Sequence, residues 1–149
     1  MSQTSWLLIL IALIAGIALP VQFSINAQLR YSIGSPLAAS AISFLVGTVA
    51  LSFLTVFSNQ PILLKNALAG PAWIWIGGLL GAFYVFATII LIPHLGAGTT
   101  VALVLTGQVI ASLIIDHFGL LHVPVHTVGV ERLLGALLII IGVFLVQKF

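Results

Sequence analysis

Cysteine is absent from the 149 residues, which removes disulfides, thiol nucleophiles and thiolate-bound metals together. Charge is nearly as scarce, with four Lys or Arg and two Asp or Glu, 4% of the chain. A soluble domain needs several times that share of charged side chains to cover its surface. The basic residues stand singly, so no patch for a nucleic-acid backbone exists. Two carboxylates leave little material for acid–base chemistry, and no Walker loop, HExxH, GxSxG or dinucleotide fingerprint occurs. Neither an enzyme nor a cofactor is expected. His117, His122 and His126 raise the question of a metal, but Pro124 keeps the last two off one helical face. No carboxylate cluster supports them, and no metal site is expected.

What the chain does have is apolar length. Hydrophobic residues make up 62% of it, and its mean hydropathy is +1.36. The apolar segments are continuous and lack the two-residue alternation of barrel strands, so the expected class is an all-α integral membrane protein. A span needs ~20 apolar residues, and five such segments occur, at about 6–29, 36–57, 72–92, 99–118 and 130–147. Residues 1–149 are read as one transmembrane domain in the lipid bilayer. The N-terminal stretch has no basic flank and is expected to be kept as the first span, not cleaved as a signal peptide.

Punctuation follows the same division. Pro20 is expected to kink the first span, which runs on past it, and Ser35-Pro36 reads as an N-cap with Pro at the first helical position. Ser58-Asn59-Gln60-Pro61 stops the second span, and Lys65 sits in the following loop. Trp6, Trp73 and Trp75 suit the membrane interface. Pro93 is expected to end the third span, and Gly119 to cap the fourth. The turn PHLGAG is short enough to make the third and fourth spans antiparallel neighbours.

Polar residues inside the spans carry the functional question, because a polar side chain at membrane depth needs a partner or a water-filled cavity. Gln22 and Asn26 lie four apart on one face of the first span. Tyr84 has a hydroxyl to satisfy. Gln108 shares a broad helical face with Ser112 and Asp116. Gln22, Asn26, Tyr84 and Gln108 are therefore candidate cavity-lining groups, with interhelical hydrogen bonding the competing structural role. Asp116 and Arg132 stand at facing span ends and are expected to form an ion pair across the loop, Asp116 carrying protons in the alternative. The small residues Pro36, Ser40, Ser43 and Gly47, and the pair Gly77 and Gly81, read as close helix crossings. Gly135 and Gly142, seven apart, share a face that can serve as a contact seam.

Taken together, INAQLRYSIGSPLAASAISFLVGT, GGLLGAFYVFATIILIPHLGAGTTVALVLTGQVIASLIIDHFGLL and RLLGALLIIIGV resemble the YdcZ-like inner-membrane exporters of the drug/metabolite transporter superfamily. The resemblance spans essentially the whole chain. It implies a multi-pass protein of the bacterial inner membrane that exports a small organic metabolite or drug. The spacing of Gly135 and Gly142-Val143 is also similar to the last helix of the small multidrug resistance proteins, in which that helix dimerises. Those proteins carry an acidic residue in their first helix for proton exchange; the first span here has none.

The larger members of the superfamily join two five-helix halves in opposite orientations, so this chain resembles one half of a ten-helix inverted repeat. Five spans put Lys65 and Arg132 on one face and Arg30 and Lys148 on the other. The K/R bias that sets orientation is thus absent. The implied assembly is an antiparallel homodimer of dual topology, working by alternating access, with Gly135 and Gly142 at the dimer seam. An accessory subunit packed on another membrane protein, or a pore-forming or lipid-handling protein, is the alternative.

Overall fold

A computed structural model of the chain describes residues 3–58 and 61–148. The expected stop at Asn59-Gln60 and the terminal Phe149 lie outside the described residues. Six α-helices follow in order: α1 (Gln3–Ile33), α2 (Pro36–Phe57), α3 (Leu64–Leu68), α4 (Ile76–Leu95), α5 (Ala97–Phe118) and α6 (Val130–Lys148). A 3-10 turn at Ala72–Trp75 leads into α4, and another at Leu120–His122 follows α5. Five segments are long and apolar enough to cross a membrane: Trp6–Ile33, Pro36–Phe57, Ala72–Leu95, Ala97–Phe118 and Val130–Lys148. No strand occurs among the described residues. Large apolar side chains along every span are exposed, as a lipid-facing surface requires.

The capping signals act as their chemistry dictates. Ser35 is extended and its hydroxyl accepts from the Ala38 N–H at 3.2 Å, with Pro36 opening α2. Gly119 ends α5 in the left-handed region, φ +60°, donating to the Ile115 carbonyl. A Cβ there would stand 2.7 Å from Val125 Cγ2, so only glycine suits that position.

Three boundaries depart from expectation. Helix α1 runs past Pro20, as expected, but continues to Ile33, four residues beyond its expected end. Lys65 lies in the short helix α3, not in a plain loop. Pro93 does not end the third span, because α4 continues to Leu95. The physical reason is visible at Ile89. Its carbonyl would bond the N–H four residues on, which Pro93 lacks. Arg30 Nη1 donates to that carbonyl instead, at 3.3 Å. With the freed acceptor satisfied from α1, the helix can carry its proline and run two residues beyond it.

The chain divides into two compact units, Met1–His94 and Leu95–Phe149. In the first, α1 packs along α2, and Ala39, Val85 and Ile89 form a small core flanked by Leu29 and Tyr84. Gly81 faces the ring of Phe44 on α2, a Cβ there meeting Phe44 Cζ at 3.4 Å, whereas Gly77 faces open space. In the second, α5 packs along α6, which buries Ala136 and Val143 one heptad apart.

Candidate functional site

The polar face of α1 is where the first unit departs from an ordinary apolar interface. Phe23, Asn26 and Ala27 are all buried, at 1%, 4% and 3% exposure. The Phe23 ring meets Tyr84 of α4 edge-on, centroids 5.4 Å apart. Arg30, one turn beyond Asn26, is held by the Ile89 carbonyl. Buried hydroxyls close by are satisfied within their own helices: Ser40 by the Pro36 carbonyl at 2.8 Å and Thr88 by the Val85 carbonyl at 2.9 Å. Such back-bonding is how Ser and Thr are accommodated in apolar surroundings. The Asn26 carboxamide is different. Its Nδ2 is the one buried side-chain nitrogen or oxygen among the described residues with no hydrogen-bond partner. An unpaired buried donor costs about 1–3 kcal/mol, so its presence here needs an explanation.

Gln22, one turn before Asn26, is exposed and turns aside. It lines a groove of about 190 Å³ between α1 and α2, with Ser43, Phe44, Gly47 and Thr48. A second groove of about 330 Å³, walled by Leu37, Ser40, Phe44, Phe83 and Phe86, lies between α2 and α4. Gly47 therefore opens a groove to Gln22; it does not bring two backbones into contact. The first unit thus buries Asn26 beside Phe23, which meets Tyr84, and turns Gln22 to a separate groove, with no acidic side chain from Gln3 to His94.

The second unit places its polar groups differently. Gln108 stands exposed near the middle of α5. Ser112, one turn on, is exposed and bonds the Val109 carbonyl. At the end of α5 a saturated cluster forms. Arg132 Nη1 lies 3.2 Å from Asp116 Oδ2 and also donates to the His126 carbonyl at 3.2 Å. The His126 N–H donates to the Asp116 carbonyl at 2.9 Å, and the Val128 N–H to His117 Nδ1 at 3.1 Å. The structure thus brings Asp116 and Arg132 together across the connection. No group of three metal-ligating side chains occurs among the described residues.

On α6, Gly135 is exposed with open space where a Cβ would stand. Gly142, also open at its Cβ, borders a groove of about 390 Å³ with Val101, Leu105, Ile139 and Val146. The larger cavity of this unit, about 600 Å³, is lined by Ile110, Ile114, His117, Val128, Leu133 and Leu137 among others.

Two interactions escaped the sequence reading. The clamp of Arg30 on Ile89 was foreshadowed by Pro93, which leaves the carbonyl four residues before it without a donor. The His117–Val128 bond had no local signal, since the two residues are eleven apart with an irregular connection between.

A family described as "Putative inner membrane exporter, YdcZ" matches residues 7–145 of the chain. The inner membrane protein YdcZ of Escherichia coli (strain K12) is 33% identical over 150 residues, covering 99% of this chain and 98% of that protein. No solved structure gives a significant match.

Proposed function

The chain belongs to the YdcZ family of inner-membrane exporters, and on that premise we propose that it carries a small organic metabolite or drug by alternating access. The observation that carries the reading is Asn26. A carboxamide donor that is buried and unpaired in the solute-free protein is available to a solute that brings a hydrogen-bond acceptor. Tyr84 and Phe23 offer an aromatic edge beside it, and Gln22 a second amide on the same helix. The first unit holds no carboxylate, so a solute there meets amide and aromatic groups, and carboxylate-based proton exchange has no residue in that unit. Transport is favoured over catalysis by the family and by this lack of acid–base groups.

Residues 1–149 act as one transmembrane domain in this reading, and two copies in opposite orientation complete the cavity. Three features support the assembly. Lys and Arg are balanced between the two faces, Gln108 is an exposed amide at mid-span that hydrocarbon cannot satisfy, and Gly135 and Gly142 leave room for a close helix approach.

Two measurements test this. Liposomes containing only this chain are expected to exchange a solute found by thermal-shift screening; absence of flux across the screened panel points to an accessory subunit instead. A single cysteine at Asn66, which is exposed on α3, is expected to be labelled from both sides of the membrane. Labelling from one side alone rules out the antiparallel dimer. Gly135→Leu should then weaken the dimer on size exclusion, with Gly142→Leu acting in the same direction.

A further inference from the structure

The connection between α5 and α6 is held in an uncommon backbone shape. Gly119, Leu121 and His122 have φ of +60°, +57° and +63°. For Leu121 and His122 this left-handed conformation is disfavoured by the Cβ, and it persists only where surrounding contacts hold it. Four contacts do so: His126 N–H to the Asp116 carbonyl, Arg132 to Asp116 Oδ2, Arg132 to the His126 carbonyl, and Val128 N–H to His117 Nδ1. Three of these use a backbone carbonyl or a carboxylate oxygen as the acceptor.

The fourth is different in kind. An imidazole nitrogen accepts only while it carries no proton, so the bond to Val128 requires neutral His117 with its proton on Nε2. Protonation turns Nδ1 into a donor that faces another donor, the Val128 N–H. Histidine is the side chain whose charge ordinarily changes between pH 5 and 8. The charged and titratable groups on the packed elements are Asp116 on α5, His122 and His126 in the connection, and Glu131 and Arg132 on α6. Asp116 is engaged by Arg132. His117 and Val128 also line the same apolar cavity of about 600 Å³ between α5 and α6.

We propose that His117 is a pH-sensitive latch: neutral, it holds Val128 and keeps the connection closed along the edge of that cavity, and protonated, it lets the connection lift away. The strained turn at Leu121 and His122 favours release once the bond is gone. The latch is independent of which solute the protein carries.

Because the chain has no cysteine, a spin label on Thr127→Cys, an exposed site next to Val128, reports on the connection alone. In membranes of the otherwise unchanged protein, lowering the pH from 8 to 5 is expected to raise the ratio of mobile to immobile label about 3- to 10-fold, the range set by one ordinary hydrogen bond. His117→Asn, whose amide oxygen accepts without titrating, should stay immobile across that range. His117→Leu should be mobile throughout, while His122→Gln and His126→Gln should keep the response. A pH response that survives in His117→Asn, or none in the parent protein, overturns the latch. The Asn variant retains the hydrogen bond, so the test stands even if the Leu variant fails to fold.

Discussion

The two units handle polar groups in membrane surroundings in opposite ways. The first buries its polarity at mid-helix and leaves one donor, Asn26 Nδ2, without a partner. The second gathers its ion pair and imidazoles at the end of α5, where Asp116, His117, His126 and Arg132 bond one another or the backbone. An unpaired group raises the free energy of the fold and keeps binding capacity in reserve. A cluster whose groups bond one another and the backbone holds a connection in place. The contrast suits recognition to the first unit and conformational control to the second.

The sharpest way to break that contrast is Asn26→Leu. If the carboxamide is reserved for a solute, the substitution removes binding and flux entirely. The thermal midpoint should hold or rise, because an unsatisfied donor worth about 1–3 kcal/mol is removed while the branching at Cγ is kept. Calorimetry or a detergent melting curve beside a flux assay separates the two effects. A lower midpoint with flux retained would mean that Asn26 is a packing residue.

A smaller effect, confined to stability, is expected at Arg30. Arg30→Ala leaves the buried Ile89 carbonyl with no donor from either helix and should cost about 1–3 kcal/mol. In a Pro93→Ala background the restored N–H can reach that carbonyl, so the same substitution should cost much less. A double-mutant cycle reads the difference. Equal costs in the two backgrounds would show that Arg30 stabilises the unit by packing or by its charge.

The smallest effect belongs to the second unit. Arg132 and Asp116 are 42% and 27% exposed, so solvent screens their attraction. A cycle over Asp116→Ala and Arg132→Ala should give a coupling of about 0.2–1 kcal/mol. Coupling several times larger would place the pair in a drier setting and weaken the division between a reserved first unit and a saturated second one.

Much of the architecture could be read before any coordinates. Helix type and span number follow from uninterrupted apolar runs, since a chain in hydrocarbon must satisfy its backbone internally. Caps at Ser35 and Gly119 were legible for a similarly local reason: one side chain or one missing Cβ decides them. The candidate cavity residues were recognisable as misplaced polar groups, but their surroundings were not. Gln22 and Asn26, alike on a helical wheel, differ completely in burial: one borders a groove against α2 and the other lies inside the packed part of the unit.

Composition and periodicity alone therefore determined that this protein lives in the membrane, crosses it five times and has little catalytic material. Each of those properties depends on the transfer of local segments from water to lipid, which needs no knowledge of neighbours. Tertiary structure decided which polar atoms stay unpaired, that Arg30 carries α4 past Pro93, and that His117 reaches Val128. A hydrogen bond depends on the positions of two groups to within fractions of an ångström. Those positions are set by how separate helices and their connections pack, and no single stretch of sequence contains them.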